Sequence, residues 1–153
     1  MEFGSVDEVL DFALGKEKEA VKFYLSLAKE ANQDSLKKTF ESFSKEEEKH
    51  VSLLSDMTAN KEKIDSYKFE KVTDLKISDY MLETEYETGM PMAEILKLAM
   101  KREEKAVLLY TALGNHTDDE QAKKVFNILV QEESKHKLAL ETMYDDYLGD
   151  QDN

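Results

Sequence analysis

Two stretches of the chain decide its fold: residues 44–57 read SKEEEKHVSLLSDM, and residues 130–143 read VQEESKHKLALETM. They stand 86 positions apart, and the same offset aligns residues 5–57 with residues 91–143 without a gap, giving 17 identities in 53 positions. Such self-similarity indicates an internally duplicated unit. In each copy, apolar residues recur every three or four positions on both sides of a polar turn, which predicts two helices per copy. The repeat therefore predicts two helical hairpins of the same construction.

The first hairpin is predicted over residues 5–58. A capping box at Ser5–Glu8 opens its first helix, whose apolar period continues to about Ala31. Asp34 is a suitable N-cap for the second helix, which is predicted to end near Met57.

The second hairpin is predicted over residues 91–148. Pro91 suits the first turn of the third helix, and Gly114 with Asn115 closes that helix. A second capping box at Thr117–Glu120 opens the fourth helix, which is predicted to run to about Leu148. Residues 149–153 remain as an acidic tail.

A long connection, residues 59–90, joins the two hairpins. It loses the long helical period, and a short helix is predicted at 74–87, ending at Gly89. Two short helix–helix links and one long crossover are typical of a four-helix bundle. One proline and five glycines also leave few breaks for a fold rich in turns. We therefore expect one all-α domain over residues 1–153: a four-helix bundle of two pseudo-symmetric antiparallel hairpins.

Composition excludes several classes of function. The chain has 34 acidic and 21 basic residues, a net charge of −13, so binding to nucleic acid or to an anionic membrane is unfavourable. It has no cysteine, which excludes disulfides, thiolate zinc sites and cysteine-held iron–sulfur clusters. No apolar run resembles a signal peptide or a membrane span, so a cytoplasmic protein is expected.

Polar residues repeat on the apolar helix faces as well, which packing alone does not explain. The repeated pairs are Glu17/Glu103, Glu46/Glu132, Glu47/Glu133, His50/His136 and Tyr24/Tyr110. Counted from their shared turn, Glu17 and Glu47 lie about 21 and 20 Å along their helices, at one level of the hairpin. Glu47 and His50, three residues apart, share a helix face, as do Glu133 and His136. We expect Glu17, Glu47, His50, Glu103, Glu133 and His136 to converge at mid-bundle.

Two of these choices have competitors nearby in the sequence. Glu17 is preferred to Glu19 because its repeat mate is Glu103, whereas Glu19 aligns with Lys105. Glu47 has the three-residue spacing to His50, but Glu46 also repeats, as Glu132, and remains a competing choice.

Four buried carboxylates require protons or metal, because burying an unpaired charge costs several kcal/mol. Two divalent ions would balance four glutamates, and an oxygen-rich set with one imidazole per ion suits iron or manganese, with zinc also possible. In such a site Glu47 and Glu133 would bridge the ions. Glu17 and Glu103 would be terminal ligands, and each ion would take one histidine.

The two tyrosines stand seven residues after the terminal glutamates, two helical turns along the same face. Tyr24 and Tyr110 either donate hydrogen bonds to the ligand carboxylates or are amphipathic core residues. His116 falls in the turn before the fourth helix and is expected at the surface.

The doubled pattern resembles the ferritin-like di-iron carboxylate superfamily. It reads Glu17-x-x-Ala20-x-x-x-Tyr24 with Glu47-x-x-His50, then Glu103-x-x-Ala106-x-x-x-Tyr110 with Glu133-x-x-His136. The closest resemblance is to the rubrerythrin-type domain, across residues 5–147. It implies a ferritin-like bundle around two iron ions and an oxidoreductase of oxidative-stress defence that reduces peroxide or dioxygen. The alternatives are an iron-handling ferroxidase or storage protein, and a non-catalytic metal-stabilised bundle.

Two departures from the rubrerythrin pattern shape these expectations. Rubrerythrins usually add a four-cysteine rubredoxin domain, whereas this chain has no cysteine, so electrons are expected from a separate, rubredoxin-like protein. They also carry an extra glutamate where this chain has Ala106, which leaves the symmetric ligand set of four glutamates and two histidines. A homodimer is also expected.

Overall fold

The computed structural model describes residues 3–83 and 85–151, apart from the side chains of residues 80 and 151. Its helices are α1 (Val6–Glu30), α2 (Asp34–Ala59), the single turn α3 (Glu62–Asp65), α4 (Met92–Asn115) and α5 (Glu120–Gln151), with one 3₁₀ turn at Ile77–Tyr80. No strand occurs in the described ranges. None of the helices there is long and apolar enough to cross a membrane. The predicted all-α, ferritin-like helical bundle is confirmed.

Two apolar clusters lie at the two ends of the bundle. One joins the start of α1 and the end of α2 to the end of α4 and the start of α5, with Leu10, Leu54 and Phe126 fully buried. The other joins the end of α1 and the start of α2 to the start of α4 and the later part of α5, with Phe40 and Leu96 at its centre. The first helices of the two hairpins are therefore antiparallel, and a polar layer lies between the clusters.

Side chains cap α1 and α5 but not α2. The predicted N-cap at Asp34 is wrong, because Asp34 is the first helical residue and Gln33, at the cap position, makes no side-chain hydrogen bond. Ser5 accepts a hydrogen bond from the backbone N–H of Glu8, as predicted, while the Glu8 carboxylate accepts from Gly4. The predicted cap at Thr117 is wrong: Asp119 caps α5 by accepting from the N–H of Ala122 at 2.8 Å. The Thr117 hydroxyl instead accepts from the N–H of Asp119 and closes a local turn before the helix.

The two remaining helix predictions also need correction. The predicted helix at 74–87 is wrong, because only the 3₁₀ turn at Ile77–Tyr80 forms there; Thr84 lies outside the described residues. The predicted tail 149–153 is wrong up to Gln151, because α5 continues through Gly149; residues 152–153 are not described. An isolated glycine weakens a helix by only about 1 kcal/mol and does not by itself end it.

The crossover follows α5 in the same direction along the bundle. Its contacts with α5 are Asp65 with Lys124, Tyr67 with Glu132, Glu70 with Lys135, Asp74 with Lys137, and Ile77 with Glu141. Within the stretch predicted to be helical, α5 binds the backbone N–H groups of Ile77 and Ser78 through Glu141 and the side chain of Asp74 through Lys137. Tertiary contacts with α5 therefore hold the first part of this stretch, around the 3₁₀ turn.

Glu141 fixes the middle of the crossover to α5. Its side chain is fully buried, and Oε2 accepts from the backbone N–H groups of Ile77 at 2.7 Å and Ser78 at 3.3 Å. Lys137 lies 3.4 Å from the same oxygen and donates to Asp74 at 2.6 Å. The Lys137 hydrogen bond lowers the pKa of Asp74.

Replacing Glu141 with alanine is expected to destabilise the protein by about 3 kcal/mol, because the N–H groups of Ile77 and Ser78 lose their acceptor and the Lys137 ammonium loses one of its two carboxylates. Urea unfolding followed by circular dichroism measures the change. Glu94→Ala, which breaks the partly exposed pair with Lys97, is the control and is expected to cost less than about 1 kcal/mol. Equal losses in the two variants would contradict this role for Glu141.

Candidate metal centre

The polar layer between the two apolar clusters consists of the six residues predicted from the repeat. None of their side chains exceeds 5% exposure. Two come from the first helices of the hairpins and four from the second helices: Glu17 on α1, Glu47 and His50 on α2, Glu103 on α4, Glu133 and His136 on α5. The structure therefore brings all six together at mid-bundle.

The first group of possible ligands surrounds the His50 ring. Its Nδ1 lies 3.2 Å from Glu133 Oε1, 3.4 Å from Glu47 Oε2 and 3.6 Å from Glu17 Oε2. One ligand atom from each of these four residues falls within 4.8 Å of all the others. Ligands on opposite sides of a metal with bonds of 2.0–2.2 Å are about 4–4.4 Å apart, so this spacing fits one ion.

The second group surrounds the His136 ring. Its Nδ1 lies 2.9 Å from Glu103 Oε1 and 3.2 Å from Glu47 Oε1. These three residues again place their ligand atoms within 4.8 Å of one another. Glu47 thus turns one oxygen to each histidine and belongs to both groups, as a bridging carboxylate must. Glu133 falls in the first group and also contacts Glu103 of the second, and its bridging role stays a prediction.

The structure also places the two competing glutamates. Glu46 is exposed to solvent in part, pairs with Lys49 at 2.8 Å, and belongs to neither ligand group. Glu19 is exposed, whereas Glu17 is buried. The alternatives that remained open in the sequence therefore lie outside the polar layer.

Protonation of the cluster follows from its burial and its ion pairs. Burial raises the pKa of Glu17 to about 11, and burial together with the nearby Glu103 charge raises that of Glu133 to about 8. Burial also raises the pKa of Glu103 well above its ordinary value. Burial alone would raise the pKa of Glu47, but the close contacts of its carboxylate with the His136 and His50 rings outweigh burial and lower that pKa.

His50 is the cation of the metal-free cluster. Burial alone would lower its pKa, but contacts with Glu133, Glu17 and Glu47 outweigh burial and raise it. Without metal, a cationic imidazole and protonated carboxylic acids therefore neutralise the polar layer. Bound metal ions would displace these protons, because carboxylates and neutral imidazoles are the ligating forms.

Unsatisfied buried atoms test whether this layer fits metal. The Nδ1 atom of His50 has three carboxylates within 3.6 Å, yet it makes no hydrogen bond of acceptable geometry among the described residues. Oε2 of Glu103 and the hydroxyl of Tyr24 also lack partners there. Buried polar atoms are nearly always satisfied. Buried polar atoms that converge on common points, several of them without a hydrogen-bond partner, are arranged as metal ligands are.

The two tyrosines predicted beside the centre differ in their contacts. The Tyr110 hydroxyl donates to Glu17 Oε1 at 3.5 Å, while the fully buried Tyr24 hydroxyl has no partner among the described residues. Burial and the nearby carboxylates raise the pKa of both phenols, so both remain protonated at neutral pH. His116 is exposed, as expected.

Two cavities reach the polar layer from opposite sides. One, of about 320 Å³, opens between α1 and α4 and is lined by Glu17, Glu103 and both tyrosines. The other, of about 230 Å³, lies between α2 and α5 and reaches the two histidines. A small molecule can therefore approach the glutamates through the cavity between α1 and α4. The two histidines lie close to the opposite surface, at the cavity between α2 and α5.

The sequence pattern of the ligands did not identify two residues that lie beside the centre. Arg102, which is the chain's single arginine, lines the first cavity with its guanidinium 3.8 Å from the Phe23 ring. Its position beside Glu103 and its alignment with Lys16 in the repeat are the only sequence signals for it. Phe43 contacts both the Tyr24 ring and the His136 ring. From the sequence, its place on the apolar helix face predicts only a core residue.

Comparisons with known proteins agree with this geometry. The sequence profile of the Rubrerythrin family matches residues 8–92 and 94–153, which is nearly the whole chain. Among solved structures, a hypothetical protein from Pyrococcus furiosus is similar, with a TM-score of 0.54 and 25% sequence identity over 95% of this chain and 92% of that one. No curated protein matches significantly. The buried glutamates and histidines fit a metal site, and the chain belongs to the rubrerythrin family.

Proposed function

We propose that this protein is a di-iron oxidoreductase that reduces hydrogen peroxide or dioxygen with electrons from a separate donor protein. The observation that carries the proposal is the pair of ligand groups that share Glu47 beneath an open cavity. A shared carboxylate between two such groups is the arrangement that holds two ions close enough to act on one small molecule.

The ligand chemistry favours iron. Four carboxylates supply a charge of −4 against the +4 of two divalent ions, and each group adds one imidazole. Oxygen-rich sets with imidazole are suited to iron and manganese, and the absence of cysteine removes the ligands that favour zinc or clusters. Two ferrous ions would supply the two electrons that, with two protons, convert hydrogen peroxide to two molecules of water.

The protein's own groups would prepare the site for that reaction. Glu47 holds the two halves at a fixed distance because it lies between His50 and His136. Tyr110 orients Glu17 through its hydrogen bond. The apolar clusters cover the two ends of the polar layer, and the cavity between α1 and α4 offers a route to it for a molecule of the size of peroxide.

Anaerobic mixing of the ferrous protein with peroxide or with air-saturated buffer tests the proposal. We expect one peroxide to be consumed per two irons, and the reaction with peroxide to be faster than the reaction with dioxygen. Stopped-flow absorbance follows the ferric product, and Glu47→Ala mixed with the same amount of ferrous iron is the control for iron that is not in the site.

Two results would contradict the proposal. If the protein oxidises many irons per chain and retains them in a soluble assembly, iron storage is the function. If peroxide reacts no faster with the ferrous protein than with the Glu47→Ala control, the site is a structural metal centre.

A further inference from the structure

The two halves of the centre are unequal although their sequences repeat. The four-residue group contains Glu17, whose Oε1 accepts from Tyr110 at 3.5 Å. The three-residue group contains Glu103, whose Oε2 has no partner among the described residues. Tyr24, the repeat mate of Tyr110, is likewise unpartnered. The half with fewer protein ligands is thus also the half with the unused carboxylate oxygen and the unused hydroxyl.

Packing holds the Tyr24 ring in place. Phe23 and Phe43 contact it edge-on, with ring centroids 5.3 and 5.4 Å away, and the Arg102 guanidinium lies 5.6 Å from it. Tyr24 is completely buried, so its hydroxyl has no access to bulk solvent. A donor fixed in this way is oriented before any ligand arrives, which is the condition for strong hydrogen bonding to a bound molecule.

The second half has its own aromatic support. The Phe43 ring packs against the His136 ring as well, with centroids 6.1 Å apart, so one side chain supports both Tyr24 and His136. The repeat mate of Phe43 is Leu129, which offers no ring to the other half. The difference between the halves is therefore built into the sequence.

The unpartnered groups share one cavity. Tyr24 and Glu103 both line the 320 Å³ space between α1 and α4, and Arg102 lines the same wall. A hydroxyl donor and a cation on one side of a cavity favour a small polar molecule or anion. An ion held by three protein residues can accept such a ligand more readily than an ion held by four.

We propose that the oxidant binds on the Glu103–His136 side of the centre, where the Tyr24 hydroxyl donates a hydrogen bond to it. The Glu17–His50 side borders the same cavity, but it offers four protein ligands, and its tyrosine, Tyr110, is already bonded to Glu17. The inference rests on the proposed function, since it names the ion and the side chain that meet the substrate. Tyr24 is then a catalytic residue, and Tyr110 is a positioning residue.

Azide binding to the protein loaded with two ferric ions tests this assignment, because azide is a small anion whose binding to iron is seen as a visible charge-transfer band. We expect Tyr24→Phe to weaken azide binding about tenfold through the loss of one hydrogen bond to a charged acceptor. Tyr110→Phe is the comparison for the other side of the centre, and it is expected to weaken azide binding less than Tyr24→Phe does. Tyr67→Phe, which removes a hydroxyl bonded to Glu132 outside the polar layer, is the control, and its azide affinity is expected to stay within about twofold of that of the unmodified protein. Metal analysis must give two irons per chain in all three variants.

A second measurement separates this role from simple core packing. Because Tyr24→Phe removes an unsatisfied buried hydroxyl, we expect it to raise the Tm of the metal-free protein by about 2–4 °C. Tyr110→Phe removes a satisfied hydroxyl and is expected to lower the Tm. Stabilisation without metal combined with weaker azide binding with metal is not expected of a purely structural tyrosine.

Different outcomes would contradict the assignment of the oxidant site and the proposed di-iron function. Equal weakening of azide binding by Tyr24→Phe and Tyr110→Phe, or no weakening by Tyr24→Phe, would contradict the assignment to one side. A protein that holds two irons but binds no azide would also contradict it and would leave the di-iron centre intact. A protein that binds no metal would contradict both proposals.

Discussion

Replacing Glu47 with alanine is expected to abolish binding of both metal ions, not of one. Glu47 is the residue common to the two ligand groups, with one oxygen 3.4 Å from His50 Nδ1 and the other 3.2 Å from His136 Nδ1. Its loss leaves three residues in one group and two in the other. We expect the affinity for ferrous or cobaltous ions to fall by at least about 100-fold, the upper end of the change seen on removing even an indirect partner of a metal.

Glu46→Ala provides the matched control for this variant. Glu46 is adjacent in sequence, repeats at the same offset, and lies outside the polar layer in a pair with Lys49. It is expected to retain two ions at unchanged affinity. Isothermal titration and elemental analysis measure both. A Glu47→Ala protein that still binds two ions would show that this carboxylate is not shared.

The metal-free protein is expected to lose stability as the pH rises from 5 to 9. The pKa of Glu133 is about 8 and that of Glu17 about 11 in the folded chain, against an ordinary value of 4.5. A carboxyl group with a raised folded pKa contributes stability that is complete below its unfolded pKa and is lost as the pH rises towards the folded value. Each such group removes up to about 1.4 kcal/mol per pH unit over that interval. His50, whose pKa is also raised, acts in the same direction above its ordinary 6.5.

Glu17→Gln tests the origin of this loss. The amide keeps the shape of the side chain and can accept from Tyr110, but it has no proton to bind. At pH 8 in the presence of a chelator, we expect the variant to be more stable than the unmodified protein by about 3 kcal/mol. Urea unfolding at several pH values measures the slope, and Glu19→Gln, on the exposed face of the same helix, is expected to leave it unchanged.

Metal should reverse the pH dependence. Protons leave the ligands when ions bind, so the stabilisation produced by a fixed metal concentration is expected to grow from pH 5.5 to pH 8. Without metal, Glu17→Gln should be more stable than the unmodified protein. Added metal should stabilise this variant only a little. A metal-free protein that becomes more stable between pH 5 and 8 would contradict the protonated state assigned to the cluster.

The long helices and the polar layer could be predicted because both rest on local pattern. Apolar residues every three or four positions fix which helix face is buried, and Glu47 and His50 lie on that face by their spacing alone. The repeat then places a second copy of each group across the bundle. No long-range information is needed for these two features.

The crossover and the inequality of the two halves depend on contacts that sequence pattern does not contain. Only a 3₁₀ turn at Ile77–Tyr80 forms in the stretch 74–87, and Glu141 and Lys137 of α5 bind the first part of that stretch. Tyr24 and Tyr110 occupy the same position of the repeat, yet only Tyr110 reaches a carboxylate. The side chains around the two tyrosines also differ. Phe43 packs against Tyr24, whereas the corresponding residue of the repeat is Leu129, which is apolar but not aromatic.

The metal content of the unmodified protein tests the central claim most directly. Protein saturated with ferrous iron without oxygen, freed of excess metal and measured by elemental analysis, is expected to hold two irons per chain, and the two should be magnetically coupled through the shared carboxylate after oxidation. One iron per chain or less, or two irons without magnetic coupling, would contradict the account of a dinuclear centre built around Glu47.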